Sequence, residues 1–294
     1  MASLCEGSNE PPGSLKASNS QVARDGLYEE ALHYSALFSD KILKRSKAER
    51  RTESDKLESR GNFQSSQVVA VKGVEWFLQQ CGVNPNFPAL VLFTDEAQFT
   101  RDGITNFHNQ HVWAYENPRA TVPSHHQVRF SLNMWAGIIG DRLVGPHVLV
   151  NRLTGQAYTN FPENTIPHVL EDTPLINRQH IHFLHDGSPA HFSRTARRYL
   201  DRRFPDRWIG RGGPIAWPPR SPDLKPLDFY LWGHLKSLVY SSPVPDLESL
   251  RNRIVACSED IRNTPGVWDR VRRSMRHRCE VCIQAGGGHF EHLL

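Results

Sequence analysis

The chain has 294 residues, a net charge of +4, and 38% hydrophobic against 22% charged residues, which is enough apolar side chain for one large folded domain with a core. No apolar run approaches the ~20 residues of a membrane helix, and Met1–Pro12 lacks the apolar stretch of a secretory signal, so neither a membrane protein nor an exported one is expected. Five scattered cysteines, an odd number, argue against a disulfide framework and for a reducing compartment.

Residues 1–66 read as an atypical leader rich in Ser, Asn, Gly and Glu, without the apolar pattern of a packed core. Leu27–Leu43 has helical periodicity within it. The basic run Lys44–Arg51 reads either as a nuclear-import patch or as plain solvated charge. Residues 67–88 are a helix and a linker. Gln67–Cys81 carries Val68, Val71, Trp76 and Phe77 at helical spacing, and Asn84-Pro-Asn-Phe-Pro88 breaks it. From residue 89 the sequence becomes dense in strands. Ala89–Thr94 is a continuous apolar run ending at Asp95-Glu96, the pattern of a central buried strand. His111–Tyr115 is a second strand. Val128–Ile139 is a third and turns through Gly140-Asp141 into Leu143–Val150. Gln156–Leu170 is helical, with interruptions expected at Pro162 and Pro167. Ile181–His185 is a short apolar strand ending at Asp186, followed by an Arg-rich helix over Ala190–Phe204 and a last strand at Pro214–Trp217. Pro226 then opens a helix whose Leu227, Tyr230, Leu231, Leu235 and Leu238 share a face, and Pro218, Pro219 and Pro222 keep the stretch before it extended. Helices near Asp246–Arg262 and Pro265–Ala285 finish the chain. This order predicts an α/β domain over residues 89–294, with a mixed central sheet flanked by helices.

The chemistry gathers on three acids. Two strands are expected to end in a carboxylate, Asp95 and Asp186, and open α/β sheets build their sites at the carboxyl ends of strands. Asp228 lies in the first turn of a helix whose apolar face must pack on that sheet. Three carboxylates with no evident Lys or Arg among them repel one another, and a hard divalent cation, Mg²⁺ or Mn²⁺, resolves the repulsion. Two such ions, ~3.5–4 Å apart, activate a water and stabilise a leaving oxygen in attack on phosphorus. The alternative is three unrelated aspartates at two strand ends and a helix start. Arg194, Arg197, Arg198, Arg202, Arg203, Arg207, Arg211 and Arg220 crowd one segment, which reads as phosphate recognition or as a solvated helix face. Cys279, Cys282, His289 and His292 offer zinc ligands, but the loop between the pairs is short and the cysteines fall on a predicted helix, so core cysteines are favoured.

Three segments taken together, Phe93-Thr-Asp-Glu-Ala-Gln-Phe99, His185-Asp-Gly-Ser-Pro-Ala-His191 and Pro219-Arg-Ser-Pro-Asp-Leu-Lys-Pro-Leu-Asp228, resemble the catalytic domain of mariner-like transposases of the Tc/mariner superfamily. The closing Gly287-Gly-His-Phe-Glu-His-Leu-Leu294 resembles the end of arthropod members. The 41 residues between Asp186 and Asp228 exceed the commonest mariner spacing and suggest a divergent branch. The resemblance implies a ribonuclease-H-like fold that cuts and rejoins DNA with two metal ions, Mg²⁺ or Mn²⁺. It carries the catalytic and metal-binding acids to Asp95, Asp186 and Asp228, leaving Asp223 as a helix-start residue. It implies that His191 and Ser188 orient Asp186 or a phosphate, the alternative for His191 being a satisfied structural histidine; Glu96 faces away from Asp95 if the strand continues through it. Arg194, Arg197, Arg198, Arg202, Arg211 and Arg220 become contacts to the DNA backbone. The implied partners are transposon-end and target DNA and a second copy of the chain, in the nucleus, with no membrane and no small-molecule cofactor. Family members also carry an N-terminal pair of helix-turn-helix units, a pattern residues 1–66 do not show. The expected function is metal-dependent DNA cleavage and strand transfer. The alternatives are an inactive or domesticated fragment that binds DNA non-specifically or pairs with intact transposase, and a hydrolase of RNA–DNA hybrids.

Overall fold

Alternation along one strand organises the molecule. In a computed structural model that describes residues 53–101, 103, 130–150, 154–171, 173, 175–219 and 221–294 (the backbone alone for 53–66, 175 and 176), β1 spans Val91–Thr100. Its odd-numbered side chains Val91, Phe93 and Phe99 enter one apolar core, while Leu92 enters another on the opposite face. β2 (Ser131–Ile139) pairs with β1 antiparallel, and β3 (Arg142–Leu149) follows through a turn in which Gly140 adopts φ 54°. β4 (His182–Leu184) and β5 (Trp208–Ile209) add in parallel on the other side, giving the order β3-β2-β1-β4-β5. The sheet is therefore mixed, as expected.

Helices cover both faces. α1 (Glu53–Val83), α4 (Trp232–Val239), α5 (Leu247–Arg262) and α6 (Val267–Gln284) pack on the face of Phe93 and Phe99, with Val74, Phe77, Leu231 and Val271 fully buried between them. α2 (Gly155–Glu171) and α3 (Arg194–Arg203) pack on the face of Leu92, around Ile166, Phe183, Leu200 and Trp208. Burying each of these large side chains contributes roughly 1.5–3 kcal/mol. That is the free energy available to tolerate polar groups placed in the same layers.

Several elements differ from expectation. α1 begins well before residue 67, so the expected boundary with the leader falls inside a helix. β1 does not stop at Asp95-Glu96. Its parallel neighbour β4 ends at Leu184, but β2 stays paired with β1 from Phe93 to Thr100 and carries it onward. Asp95 is thus a mid-strand residue at the level where β4 has run out. α2 runs unbroken through Pro162 and Pro167. Each proline removes one backbone donor, yet Tyr158, Pro162, Ile166 and Leu170 bury a continuous face on the sheet. That burial outweighs a local cost of about 3 kcal/mol per proline. The last strand is Trp208–Ile209 rather than Pro214–Trp217. Ile215 adds only a single bridge to Ile209, because the prolines at 214, 218 and 219 cannot donate to a ladder. The expected helix at Leu27–Leu43, the run Lys44–Arg51, the leader up to residue 52, the strand His111–Tyr115 and Arg220 lie outside the described residues.

Candidate active site

The three motifs deliver their acids to one region of the sheet by three different local devices. Asp95 is carried by β1 on the face of Phe93 and is 5% exposed, where an unpaired carboxylate would be costly. It is not unpaired. Its Oδ1 accepts from Lys225 Nζ at 2.9 Å and its Oδ2 from Trp232 Nε1 at 2.9 Å. Asp186 follows β4 by two residues, and β1–β4 register places it level with Asp95. The backbone N–H of Ser188 donates to Asp186 Oδ1 at 2.9 Å, closing a tight turn. Gly187 inside that turn packs on Pro219, where a Cβ would come within 2.3 Å of the proline's own Cβ. The second and third motifs therefore touch at a point that only glycine permits.

Asp228 rides on a wide turn. A 3₁₀ turn at Pro222–Leu224 leads into Lys225, whose carbonyl accepts from both Asp228 N and Phe229 N at 3.0 Å. Leu227–Leu231 then forms one turn of π-helix before α4. Leu227, Phe229, Tyr230 and Leu231 are all buried in it, while the Asp228 side chain keeps 15% exposure. Such turns recur at functional positions. Pro226 stands immediately before this turn and Asp228 occupies the first turn of the helix, as expected, but Pro222 opens a 3₁₀ turn where the sequence predicts an extended stretch.

Lys225 is the feature the sequence reading missed. Three acids with no Lys or Arg among them was the premise for a metal, but Lys225 Nζ lies 2.7 Å from Asp228 Oδ2 as well as 2.9 Å from Asp95 Oδ1. The lysine sits inside the third motif, three residues before Asp228. Its place in the motif is visible in the sequence, but its pairing with Asp95, 130 positions earlier, is made only by the fold. Burial pulls its amine down, but Asp228, Asp95 and Asp186 together outweigh that and hold it charged, well above the ordinary value for lysine. Burial and the neighbouring Asp95 raise Asp228 to about 7, with Lys225 opposing. Lys236 lies beyond this group, its Nζ 5.4 Å from the Phe99 ring centre; burial lowers it to about 8 against the pull of Asp228 and Asp95.

The other face of β1 holds a second cation between acids. His191 is 1% exposed, with Nδ1 at 2.5 Å from Asp186 Oδ1 and Nε2 at 3.1 Å from Glu96 Oε2, the latter an ion pair by distance without hydrogen-bond alignment. Burial lowers its basicity, and Glu96 and Asp186 more than reverse that, to about 10. Asp186 is raised by burial but lowered further by His191 and Lys225, to well below the usual carboxylate range. Glu96 is raised, chiefly by burial. The imidazole packs against the rings of Tyr158 and His185 at 4.0 and 4.9 Å, and Tyr158 Oη meets His185 Nδ1 at 3.0 Å. Burial keeps His185 neutral. Glu96 does point away from Asp95, as expected. It is nonetheless tied to Asp186 through His191.

The acids are thus held in two pairs, each around an internal cation. Among the described residues no group of three acids, histidines or cysteines stands ready to hold a metal. The donor set itself fits a hard divalent cation, since it offers carboxylate oxygens alone, and the space between Asp95 and Asp228 already accommodates a positive charge.

The remaining candidates separate. Asp223 makes no helix cap; it lies 3.7 Å from Arg278 of α6. Cys279 and Cys282 are buried in the apolar core, where burial raises both thiols, and His289 stacks on His292 instead. The arginines do not form one uniform row. Arg197 and Arg211 place their guanidinium groups 4.6 and 4.4 Å from the Phe192 ring centre, and Arg194 and Arg198 are exposed. Arg202 pairs with Glu163 at 2.8 Å, and Arg207 donates to the Ile181 carbonyl.

No family model matches the chain. In sequence it is 24% identical over 217 residues to the transposable element Tcb1 transposase of Caenorhabditis briggsae, covering 73% of this chain and 74% of that protein. In structure it is similar to a Mos1 transposase paired-end complex with the left transposon end (TM-score 0.59, 14% identity, 97% of this chain and 83% of that one). It is also similar to the catalytic domain of Mos1 mariner transposase (TM-score 0.55, 16% identity, 75% and 93%). A third match is the Mos1 catalytic domain with Raltegravir and Mn (TM-score 0.56, 16% identity, 82% and 99%). The sheet and its helices are the ribonuclease-H-like fold of the mariner transposase catalytic domain, and the chain's likeness to these transposases holds in sequence and in fold.

Proposed function

We propose that this chain is a transposase catalytic domain that cleaves DNA and transfers the freed strand, with Asp95, Asp186 and Asp228 as its catalytic acids. The observation that carries the reading is convergence. Three motifs far apart in sequence bring one carboxylate each to the level where β4 ends, and two of the three already share a cation. The relatives add direction, because Mos1 structures are known as a strand transfer complex and with Mg or Mn.

The three acids would hold Mg²⁺ or Mn²⁺, taken as two ions, which supplies Lewis-acid stabilisation of the phosphoryl oxygens and an activated water. The chain itself positions the ligands. Trp232 fixes the orientation of Asp95, the Ser188 N–H and His191 fix Asp186, and the π turn presents Asp228. In cleavage, a bond forms between a water oxygen and phosphorus, the bridging P–O3′ bond breaks, and a 5′-phosphate and a 3′-hydroxyl result. In strand transfer that hydroxyl replaces the water, so one phosphodiester is exchanged for another. Arg194, Arg197, Arg198 and Arg211 would meet the DNA backbone. DNA as substrate implies action in the nucleus, and the paired-end assemblies of Mos1 suggest a homodimer. Purified chain should nick supercoiled plasmid in Mn²⁺, and Asp228→Asn and Asp95→Asn should each abolish nicking while leaving the circular dichroism spectrum intact. Nicking that persists in both variants would remove the assignment.

A second reading has one observation in its favour. With Lys225 between Asp95 and Asp228, the repulsion between these two acids is relieved without metal, which suits a catalytically silent relative that binds DNA through its arginines. Salt-dependent DNA binding with no cleavage in either metal would select it.

A further inference from the structure

We infer that Lys225 is a built-in competitor of the divalent cation: its ammonium occupies the position between Asp95 and Asp228, and metal binds there only by displacing it. The inference rests on the metal-dependent reading above and adds to it a residue that sets metal affinity. Three observations carry it. Lys225 Nζ makes two short ion pairs, 2.9 Å to Asp95 Oδ1 and 2.7 Å to Asp228 Oδ2, so one cation bridges the two carboxylates as a metal would. Both partners and the lysine are nearly closed to solvent, with side-chain exposures of 8% for Lys225, 6% for Asp95 and 15% for Asp228, so the charge is not screened. The lysine also precedes Pro226 in an extended segment, and its carbonyl is the acceptor for Asp228 N and Phe229 N, so its backbone is fixed while its side chain has four rotatable bonds to swing outward.

Two positive charges cannot share that position. A divalent ion bonded to both carboxylates would stand within a few ångströms of the ammonium, at a separation where repulsion in a buried site is strong. Lys225 must therefore leave when metal enters, and the free energy of its two ion pairs is subtracted from metal affinity. In return Asp95 and Asp228 are held together and oriented, with one of their two charges offset, in the metal-free chain. Without Lys225 they would repel each other in an apolar layer.

The experiment is Mn²⁺ titration calorimetry on the full chain and on Lys225→Met, which keeps an unbranched side chain one atom shorter and removes its charge. Lys225→Met should bind Mn²⁺ about tenfold or more tightly than wild type, and its melting temperature should be lower in chelator but recover with Mn²⁺. Equal affinity in two folded proteins that both bind Mn²⁺ would overturn the competition while leaving the metal site standing. Absence of binding in both would overturn the metal-dependent reading as well. Should Lys225→Met not fold, wild type alone decides the matter through amine acetylation mapped by mass spectrometry. Acetylation of Lys225 should be slow in chelator and rise several-fold in saturating Mn²⁺; a rate that stays unchanged with Mn²⁺ bound overturns the displacement.

Discussion

His191 shows how much one side chain can carry. It is buried between Asp186 and Glu96, and both carboxylates lie within ion-pair distance of it. Removing it leaves two acids facing each other across an apolar pocket lined by Tyr158 and His185. His191→Gln should therefore cost about 3–5 kcal/mol of unfolding free energy near neutral pH, the usual penalty for breaking a buried ion pair from one side. The pH dependence gives the effect a signature. In the folded chain His191 is raised from 6.5 to about 10, so the proton it holds is lost on unfolding anywhere between those values. Its contribution is complete below about pH 6.5, declines as pH rises, and is gone above about pH 10. The stability gap between wild type and His191→Gln, measured by urea unfolding at a series of pH values, should narrow over that window. A gap that stays constant from pH 6 to 10 would mean that His191 acts through shape alone. The sequence offers His191 either as a group that orients Asp186 or a phosphate or as a structural histidine, and places Glu96 on the opposite face. It could not show that the imidazole joins the two, because the contact spans a residue of β1 and a loop almost a hundred positions later.

At the scale of elements, the site depends on α4 as much as on the strands. Its first residue, Trp232, sends an indole N–H back to Asp95 Oδ2 at 2.9 Å. Trp232→Phe keeps an aromatic ring in the core and deletes only that donor, leaving a buried carboxylate oxygen without it. The expected cost is about 1–3 kcal/mol, read as a lowered denaturation midpoint with an unchanged slope. A loss below a few tenths of a kcal/mol would show that water replaces the donor. The elements were legible in the sequence where local pattern and tertiary demand agreed. The hairpin at Gly140, the apolar strand through Phe93, and the helix opened by Pro226 all belong to this class. They were misread where a distant partner decided. β1 outruns its expected end because β2, some forty residues later, pairs with it as far as Thr100. α2 survives two prolines because its face is buried against the sheet. Pro214–Trp217 fails as a strand although its alternation is right, since Trp208–Ile209 takes the place beside β4 and the prolines cannot bond. The three acids were found because each lies in a short motif. The meaning of Lys225, in the same motif, depends on Asp95, which only the fold brings near.

At the scale of the whole molecule, charge is distributed by task rather than by count. A net charge of +4 says little, and six of the eight arginines crowded into one segment divide into two groups with different surroundings. Arg202 is neutralised by Glu163 on α2, and Arg207 is spent on the Ile181 carbonyl at the start of β4. Arg197 and Arg211 flank Phe192, which lies between Asp186 and α3, and Arg194 and Arg198 are exposed on α3 itself. Arg202 thus joins α3 to α2 at the surface, and Arg207 is tied to the residue before β4. The other four stand near the loop that carries Asp186, where a phosphodiester backbone would have to pass for the acids to reach it. DNA binding should therefore respond unequally. Each phosphate contact that is lost reduces the slope of log affinity against log salt concentration by about 0.9. Substituting Arg194, Arg198 and Arg211 together by Gln should lower the slope by roughly two to three on that basis, with no loss of melting temperature. Arg202→Gln should leave the slope unchanged, since its charge is already matched. Fluorescence anisotropy with a short labelled duplex, at several salt concentrations and in chelator to prevent cleavage, measures both. An equal drop in slope for Arg202→Gln would mean that DNA crosses the α2 side of the molecule, and that the path to the acids runs along the Glu163 edge instead of past Phe192.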